Sequence, residues 1–470
     1  MQKSFEYPII TKSKGEIILN TKDLVKWDQQ HFIHPTTSIQ EQQTKGAKVI
    51  FEKGQGIYLT STEGKEYIDA MSSLWNVNIG HGRKELGEAA KEQMEQLAYS
   101  SCFSTFSNEP AILLTKKIAE LAPPSLNAVF LTSGGSESND TAIKLIRHYW
   151  RIQGKPEKNK IVAMNRGYHG VSAGATSATG IPEFWDMAGV TMQGFVHAKS
   201  PYEIGTAASI QSIRETIEKE GPETIAAFMT EPIQGAGGVL IPPDDFLIEV
   251  RKICDEYGIL MHVDEVITGF GRTGKMFAVE HYGVEPDLLA FAKGVTSGYF
   301  PLGGVLVKDQ VHEVLKEKSV GTLFHGFTYS GHPTGAAVAL KNLEIMEQEG
   351  IVENSALMGT RLLNGFQEIK AASSIVGDVR AKGLLGAIEF VKDPVTNERF
   401  EKELGVAPRI VAALHDKGVI CRAVTYEQTD ILCFSPPLII TAEEVDKMIA
   451  IVKDVVLEIQ QQLTQEVATK

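Results

Sequence analysis

The chain has 470 residues, 43% of them hydrophobic and 22% charged, with a formal net charge of −13. At roughly 100–200 residues per domain, this length predicts two or three packed units of ordinary globular composition. The acidic excess excludes sequence-independent nucleic-acid binding, which depends on Lys and Arg, and no apolar run reaches the roughly 20 residues of a membrane helix.

Residues 1 to about 45 are polar and mixed, with a helix expected around Thr21–Gln30. From Val49 to Ala70, apolar and polar residues alternate about a Glu63-Gly64 turn, which predicts a small antiparallel meander. From about Asn76 to about Glu347, strand-like runs alternate with helix-like segments. Ala128-Val-Phe-Leu, Ile161-Val-Ala-Met, Ile225-Ala-Ala-Phe-Met and Ile259-Leu-Met-His-Val are clear examples of the runs. This rhythm predicts an α/β unit built on a mostly parallel sheet covered by helices. Beyond Gly350 the pattern changes. A long helix over Glu353–Ala371, strands near Leu384–Val391 and Gly418–Val424, and a last helix over Ala442–Gln462 predict a smaller α+β unit. The expected division is an N-terminal segment over 1–75 that packs with the small unit, a large unit over 76–347 and a small unit over 348–470.

In the large unit the chemistry sits where strand-like runs end. Ser133-Gly134-Gly135-Ser136-Glu137-Ser138-Asn139-Asp140 follows Val129–Leu131 and precedes a helix marked by Ala142, Leu145, Ile146 and Tyr149. Small residues at a helix start leave backbone N–H groups free for an anion. Ser, Gly and Asn are also ordinary caps, so an anion site and a plain capped helix both fit. Arg166-Gly-Tyr168-His169-Gly170 follows Ile161–Met164. Read by itself, Tyr168 there is a core aromatic beside a turn. Glu231 ends another run, in Thr230-Glu231-Pro232-Ile-Gln-Gly235-Ala236, where it serves a ligand or a turn.

Leu260-Met-His-Val-Asp264 ends a buried-looking run in a carboxylate, and 29 residues later Ala290-Phe-Ala-Lys293 ends another in an amine. Such a pair holds pyridoxal 5'-phosphate from two sides: the Asp meets the pyridinium nitrogen, and the Lys forms the Schiff base to the aldehyde. Gly269-Phe-Gly271-Arg-Thr-Gly274 satisfies the dinucleotide fingerprint. A nicotinamide site also needs a helix opening on those glycines and an acidic ribose ligand about 20 residues on, where this chain has Lys293-Gly294.

These blocks resemble the class III, fold-type I, pyridoxal-phosphate-dependent aminotransferases, and the resemblance runs from about residue 55 to 440. It implies that Gly135 and Ser136 hold the cofactor phosphate, that Tyr168 stacks on the ring with Val266 beneath it, and that His169 and Glu231 lie beside the cofactor. Asp264 and Lys293 are then the catalytic pair, with the Lys amine moving the proton. Gly326-Phe-Thr328-Tyr-Ser-Gly-His-Pro matches the segment whose Thr reaches the phosphate in the neighbouring subunit, which implies a homodimer with Thr328 contributed across the interface. Ser72-Ser-Leu-Trp75 matches a substrate-pocket aromatic, although a buried Trp also suits a core. Gly418-Val-Ile-Cys-Arg422, ahead of Phe434-Ser-Pro436-Pro437, resembles the segment that supplies the substrate-carboxylate Arg. Read without the family, Arg422 is a strand Arg in a surface ion pair.

Ala236 and Ile267 depart from the Glu and Gln of ornithine- and GABA-type relatives, and both departures resemble the ω-amino acid:pyruvate branch. The implied reaction is ping-pong transfer from an ω-amino acid or amine to pyruvate through pyridoxamine phosphate. Rivals are an S-adenosylmethionine-using aminotransferase of biotin synthesis, an aminomutase, a decarboxylase, a nicotinamide dehydrogenase and a silent scaffold. A scaffold needs neither Lys293 nor Asp264. Cys102, Cys254, Cys421 and Cys433 are scattered without metal-ligand spacing, and the N-terminus lacks an apolar signal core. Free thiols, no metal site, no membrane partner and a cytoplasmic location are expected.

Overall fold

The computed structural model describes residues 21–187 and 189–468, so the first 20 residues of the expected N-terminal segment lie outside the described part. Seven strands form the large sheet, in the order Leu126–Thr132, Gly303–Lys308, Leu288–Phe291, Leu260–Asp264, Ile225–Thr230, Lys160–Met164 and Phe195–Ala198. Gly303–Lys308 is antiparallel to both neighbours, while the other neighbouring pairs are parallel. Leu126–Thr132 therefore points the same way as the remaining strands, and all their C-terminal ends meet at one edge. In an open α/β sheet that edge is where ligands bind.

The apolar runs are continuous because both faces of this sheet are covered. Alternate residues of one strand enter different cores: Val162 and Met164 join one cluster, Ile161 and Ala163 the other. Every residue of Ile225–Thr230, Leu260–Asp264 and Leu288–Phe291 is buried. The structural reading is a mixed α/β fold dominated by a parallel sheet, as the rhythm of runs predicts.

Two smaller four-stranded sheets complete the described residues. The expected meander is present as Phe51–Gln55, Tyr58–Ser61 and Glu66–Asp69, paired antiparallel. The other small sheet is antiparallel and runs Val376–Lys382, Leu385–Phe390, Asp430–Phe434, Arg422–Val424. Helices Ile351–Ala372 and Val406–Asp416 pack against it, and Ala442–Ala468 packs against both helices.

The single strand expected over Gly418–Val424 is instead two. Val419–Ile420 pairs in parallel with Ile68 and Asp69 of the meander, whereas Arg422–Val424 pairs antiparallel with Asp430–Phe434. The chain changes sheets at the buried Cys421. Strand-like patterning reports burial and cannot reveal a change of partner. The dinucleotide reading fails structurally, because residues 266–273 form turns and no helix opens on Gly269, Gly271 or Gly274. Among the described residues, no helix is long and apolar enough to cross a membrane, and no group of His, Cys, Asp and Glu side chains could hold a metal ion.

Candidate active site

The strand ends bring Gly135, Ser136, Tyr168, His169, Glu231, Asp264, Val266 and Lys293 around one cleft. Asp264 is buried and held by three donors. Its Oδ2 accepts from Asn139 Nδ2 at 2.7 Å and from His169 Nδ1 at 2.9 Å, and its Oδ1 accepts from the Val266 amide at 3.0 Å. Burial pushes its pKa up, but His169 and the other donors outweigh burial, so the carboxyl ends below its ordinary range. It is an anion at neutral pH.

A further layer fixes these donors. Asn139 also donates from Nδ2 to the His169 carbonyl at 2.8 Å, which leaves its Oδ1 facing His262 Nε2 at 2.9 Å. His262 is therefore assigned its proton on Nε2. Burial takes its pKa down to about 4, so the ring is neutral. The sequence alone gives Asn139 no site role. Its only signal was a polar side chain on the buried stripe it shares with Ala142, Ile143 and Ile146.

Lys293 stands one residue beyond the buried Ala292, with its backbone in the left-handed region at φ 46°. A non-glycine residue so placed costs about 1–3 kcal/mol and persists only where its surroundings over-determine it. Among the described residues its amine has no hydrogen-bond partner. Burial lowers its pKa more than the charges of Asp264 and Glu231 raise it, and Arg422 adds to the lowering. The side chain is poised as a nucleophile and a base.

The helix Gly135–Ile152 opens at the same edge, and its N-cap, Gly134, makes no side-chain capping bond. Its first-turn N–H groups are thus offered to an anion. Space here is close. A Cβ on Gly135 would lie 2.8 Å from Val266 Cγ1, and one on Gly170, at φ +123°, would lie 2.4 Å from Ser136 Oγ. Glu231 joins two loops: its Oε1 accepts from the Tyr168 amide and its Oε2 from the Gly235 amide, both at 2.9 Å. Burial pushes its carboxyl up to about 7, although His169 and these two amides pull the other way.

Trp75 and Arg422 meet each other: the guanidinium lies 5.0 Å from the centre of the Trp75 ring. Among the described residues the Arg422 guanidinium has neither an ion pair nor a hydrogen bond, so the surface ion-pair reading is not what the fold builds. Its charge reaches both Tyr168 and Lys293. Trp75 Nε1 is buried without a partner. Ile267 lines the cleft, and Ala236 is buried and brings no carboxylate to Arg422. Thr328 stands apart from the cleft, in an exposed turn where its carbonyl accepts from Tyr99 Oη at 2.7 Å.

An amine beside a buried carboxylate, a bare helix start and a flat aromatic wall fit pyridoxal phosphate group by group. Residues 39–456 match the family described as Aminotransferase class-III. The chain belongs to the class III aminotransferases. It is 39% identical to putrescine–pyruvate aminotransferase of Pseudomonas aeruginosa, over 92% of this chain and 95% of that one. A transaminase from the marine bacterium Virgibacillus has 61% identity and a TM-score of 0.93, covering 94% of this chain and 100% of that chain. An (S)-enantioselective omega-transaminase from Thermomicrobium roseum has 43% identity and a TM-score of 0.89, covering 94% and 99%. Class III aminotransferases use pyridoxal phosphate to transfer amino groups, so this chain is a fold-type I, pyridoxal-phosphate-dependent transferase of nitrogenous groups.

Proposed function

We propose that this aminotransferase takes the amino group of an ω-amino acid or simple amine and gives it to pyruvate by a ping-pong route. The observation that carries the reading is the Arg422 guanidinium, laid over Trp75 without a carboxylate partner among the described residues and with Ala236 in the loop where relatives of other specificity place a Glu. A free guanidinium binds a carboxylate bidentately. With no acid of the described residues to neutralise it, Arg422 receives the carboxylate of pyruvate, and it moves aside for donors that lack one. The likeness to a putrescine–pyruvate aminotransferase and to an omega-transaminase supports this branch.

Bound pyridoxal phosphate supplies an aldehyde carbon and an electron-withdrawing ring that weakens the donor's Cα–H bond. The residues of this chain do the rest. Gly135 and Ser136 hold the phosphate at the helix start, and Tyr168 and Val266 keep the ring between them. Asp264, ionised by its donors, faces the ring nitrogen with a negative charge. His169 and Glu231 fix the positions of Asp264 and Tyr168. Lys293, with its lowered pKa, would take the proton from the donor carbon onto Nζ and give it to the carbon on the far side of the transferred nitrogen. Thr328 completes the phosphate site of a partner subunit in a homodimer. Exposed aromatics close to it in the chain, Phe324 and Tyr329, support that face as the contact. The proposed location is cytoplasmic.

The test is the visible spectrum of the purified holoenzyme with single donors and no acceptor. The donors are taurine, β-alanine, alanine, glutamate, a diamine and S-adenosylmethionine. The expected result is that an ω-amino acid or the diamine bleaches the cofactor band and pyruvate restores it. Bleaching by S-adenosylmethionine alone would assign the chain to the biotin-type reaction instead.

Arg422→Ala checks the acceptor site directly. Loss of hydrogen bonds to a charged group, about 1.5–3 kcal/mol, raises the KM for pyruvate on the order of ten- to a hundredfold. Bleaching by the diamine falls far less. A variant that kept full use of pyruvate would sink the assignment.

A further inference from the structure

Trp75 reaches Arg422 on a stretch of backbone that ordinary residues avoid. Ser72, Ser73 and Trp75 have φ values of 45°, 60° and 54°, and none is a glycine. Such strain survives only where neighbouring groups impose it. Asp69 is the group placed to impose it. Its side chain is fully buried, and it bonds back onto Ser73, in the middle of the strained stretch.

Asp69 Oδ1 accepts from the Ser73 amide at 2.8 Å and the Met71 amide at 3.3 Å. Its Oδ2 accepts from the Ser73 amide at 2.7 Å, Ser73 Oγ at 3.1 Å and His81 Nε2 at 2.8 Å. The turn is pinned from its other side through Ser72 Oγ, which donates to the Ser435 carbonyl at 2.7 Å and accepts from Arg272 Nη2 at 3.0 Å.

Asp69 also lies close in the fold to the other half of the pair. It ends the strand Glu66–Asp69, which lies parallel to Val419–Ile420 with Asp69 directly opposite Ile420. Arg422 follows two residues later. One strand end therefore holds the aromatic's turn through hydrogen bonds and lies beside the chain that enters Arg422, whose own strand pairs with Asp430–Phe434.

We infer that Asp69 is a positioning residue of the substrate-carboxylate site: its carboxylate, steadied by His81, holds the Met71–Trp75 turn so that the Trp75 ring lies beneath the Arg422 guanidinium. The inference rests on the reading of Arg422 given above. Asp69 acts through the amides of Met71 and Ser73, and losing its charge loosens the turn without removing any group that meets the substrate.

Propionate is a suitable probe, because it has the carboxylate of the acceptor and no carbonyl or amine to react. Its affinity for the holoenzyme is measured by titration calorimetry in wild type, Asp69→Asn, His81→Ala and Arg422→Ala, beside the thermal midpoint of each. Asp69→Asn is expected to weaken propionate on the order of tenfold. The KM for pyruvate should rise in step, by more than kcat falls. His81→Ala, on a partly exposed side chain, is expected to give a smaller loss in the same direction, and it carries the test if Asp69→Asn does not fold. A purely structural Asp69 would lower the thermal midpoint and leave propionate affinity intact. Wild-type propionate affinity in Asp69→Asn and His81→Ala, with affinity lost in Arg422→Ala, overturns the inference alone. Wild-type affinity in Arg422→Ala overturns the reading on which it stands.

Discussion

Lys293→Ala is expected to cost at least about 10⁴-fold in turnover, the upper part of what one positioned acid–base group contributes. The amine is the sole group at the end of Leu288–Phe291 that can both attack a carbonyl carbon and carry a proton. Its unpartnered state and lowered pKa equip it for both. The variant keeps Asp264, the helix start at Gly135 and the Tyr168 wall, so it is expected to retain cofactor through dialysis. Steady-state turnover with the best donor, set beside cofactor content by absorbance, separates loss of chemistry from loss of binding. Turnover above about one per cent of wild type would take Lys293 out of the proton-transfer role.

Asp264→Asn is the second large effect, expected at about 10²–10⁴-fold in kcat. An amide has one acceptor oxygen where the carboxylate has two, so meeting His169 and Asn139 turns its NH2 onto the Val266 amide, and it brings no negative charge to a ring nitrogen. Asp264→Ala leaves those buried donors unpaired as well, which removes about 3–5 kcal/mol of stability. The pH dependence has a definite sign. The folded pKa of Asp264 lies below its ordinary value of 3.8. Its contribution to stability is therefore complete above that ordinary value, and it is lost as pH falls through the folded value. Denaturant midpoints of wild-type and Asp264→Asn apoprotein should differ at neutral pH and converge in acid. A gap that is constant across the range would mean that the charge contributes nothing.

Much of this site was legible because its residues advertise themselves. Asp264 and Lys293 interrupt apolar runs, where a charge needs a reason to be, and small residues before a helix suggest an anion. The parallel sheet was legible from the spacing of those same runs. The rest depended on partners far along the chain. Asn139 resembles a cap residue until His262 and Asp264 are seen on either side of it. Ser72 and Ser73 carry no sign of left-handed backbone, because glycine is what usually marks it. The Asp69 carboxylate looks like the end of a strand, and its hold on Ser73 and His81 appears only when the turn is built. Gly418–Val424 reads as one strand because alternation records which side chains are buried, and not which sheet buries them.

The antiparallel strand also dictates when the site can be assembled. Leu126–Thr132, which delivers the helix start at Gly135, has Gly303–Lys308 as its neighbour in the sheet, with Thr132 opposite Gly303. A ribosome that has delivered the polypeptide as far as Lys293 has supplied both the amine and the carboxylate. It has not yet supplied the strand that joins the anion cradle to them. Pairing across so long a stretch of chain is slow to nucleate, so cofactor capture belongs to the late stages of folding, after the nascent chain has passed Lys308.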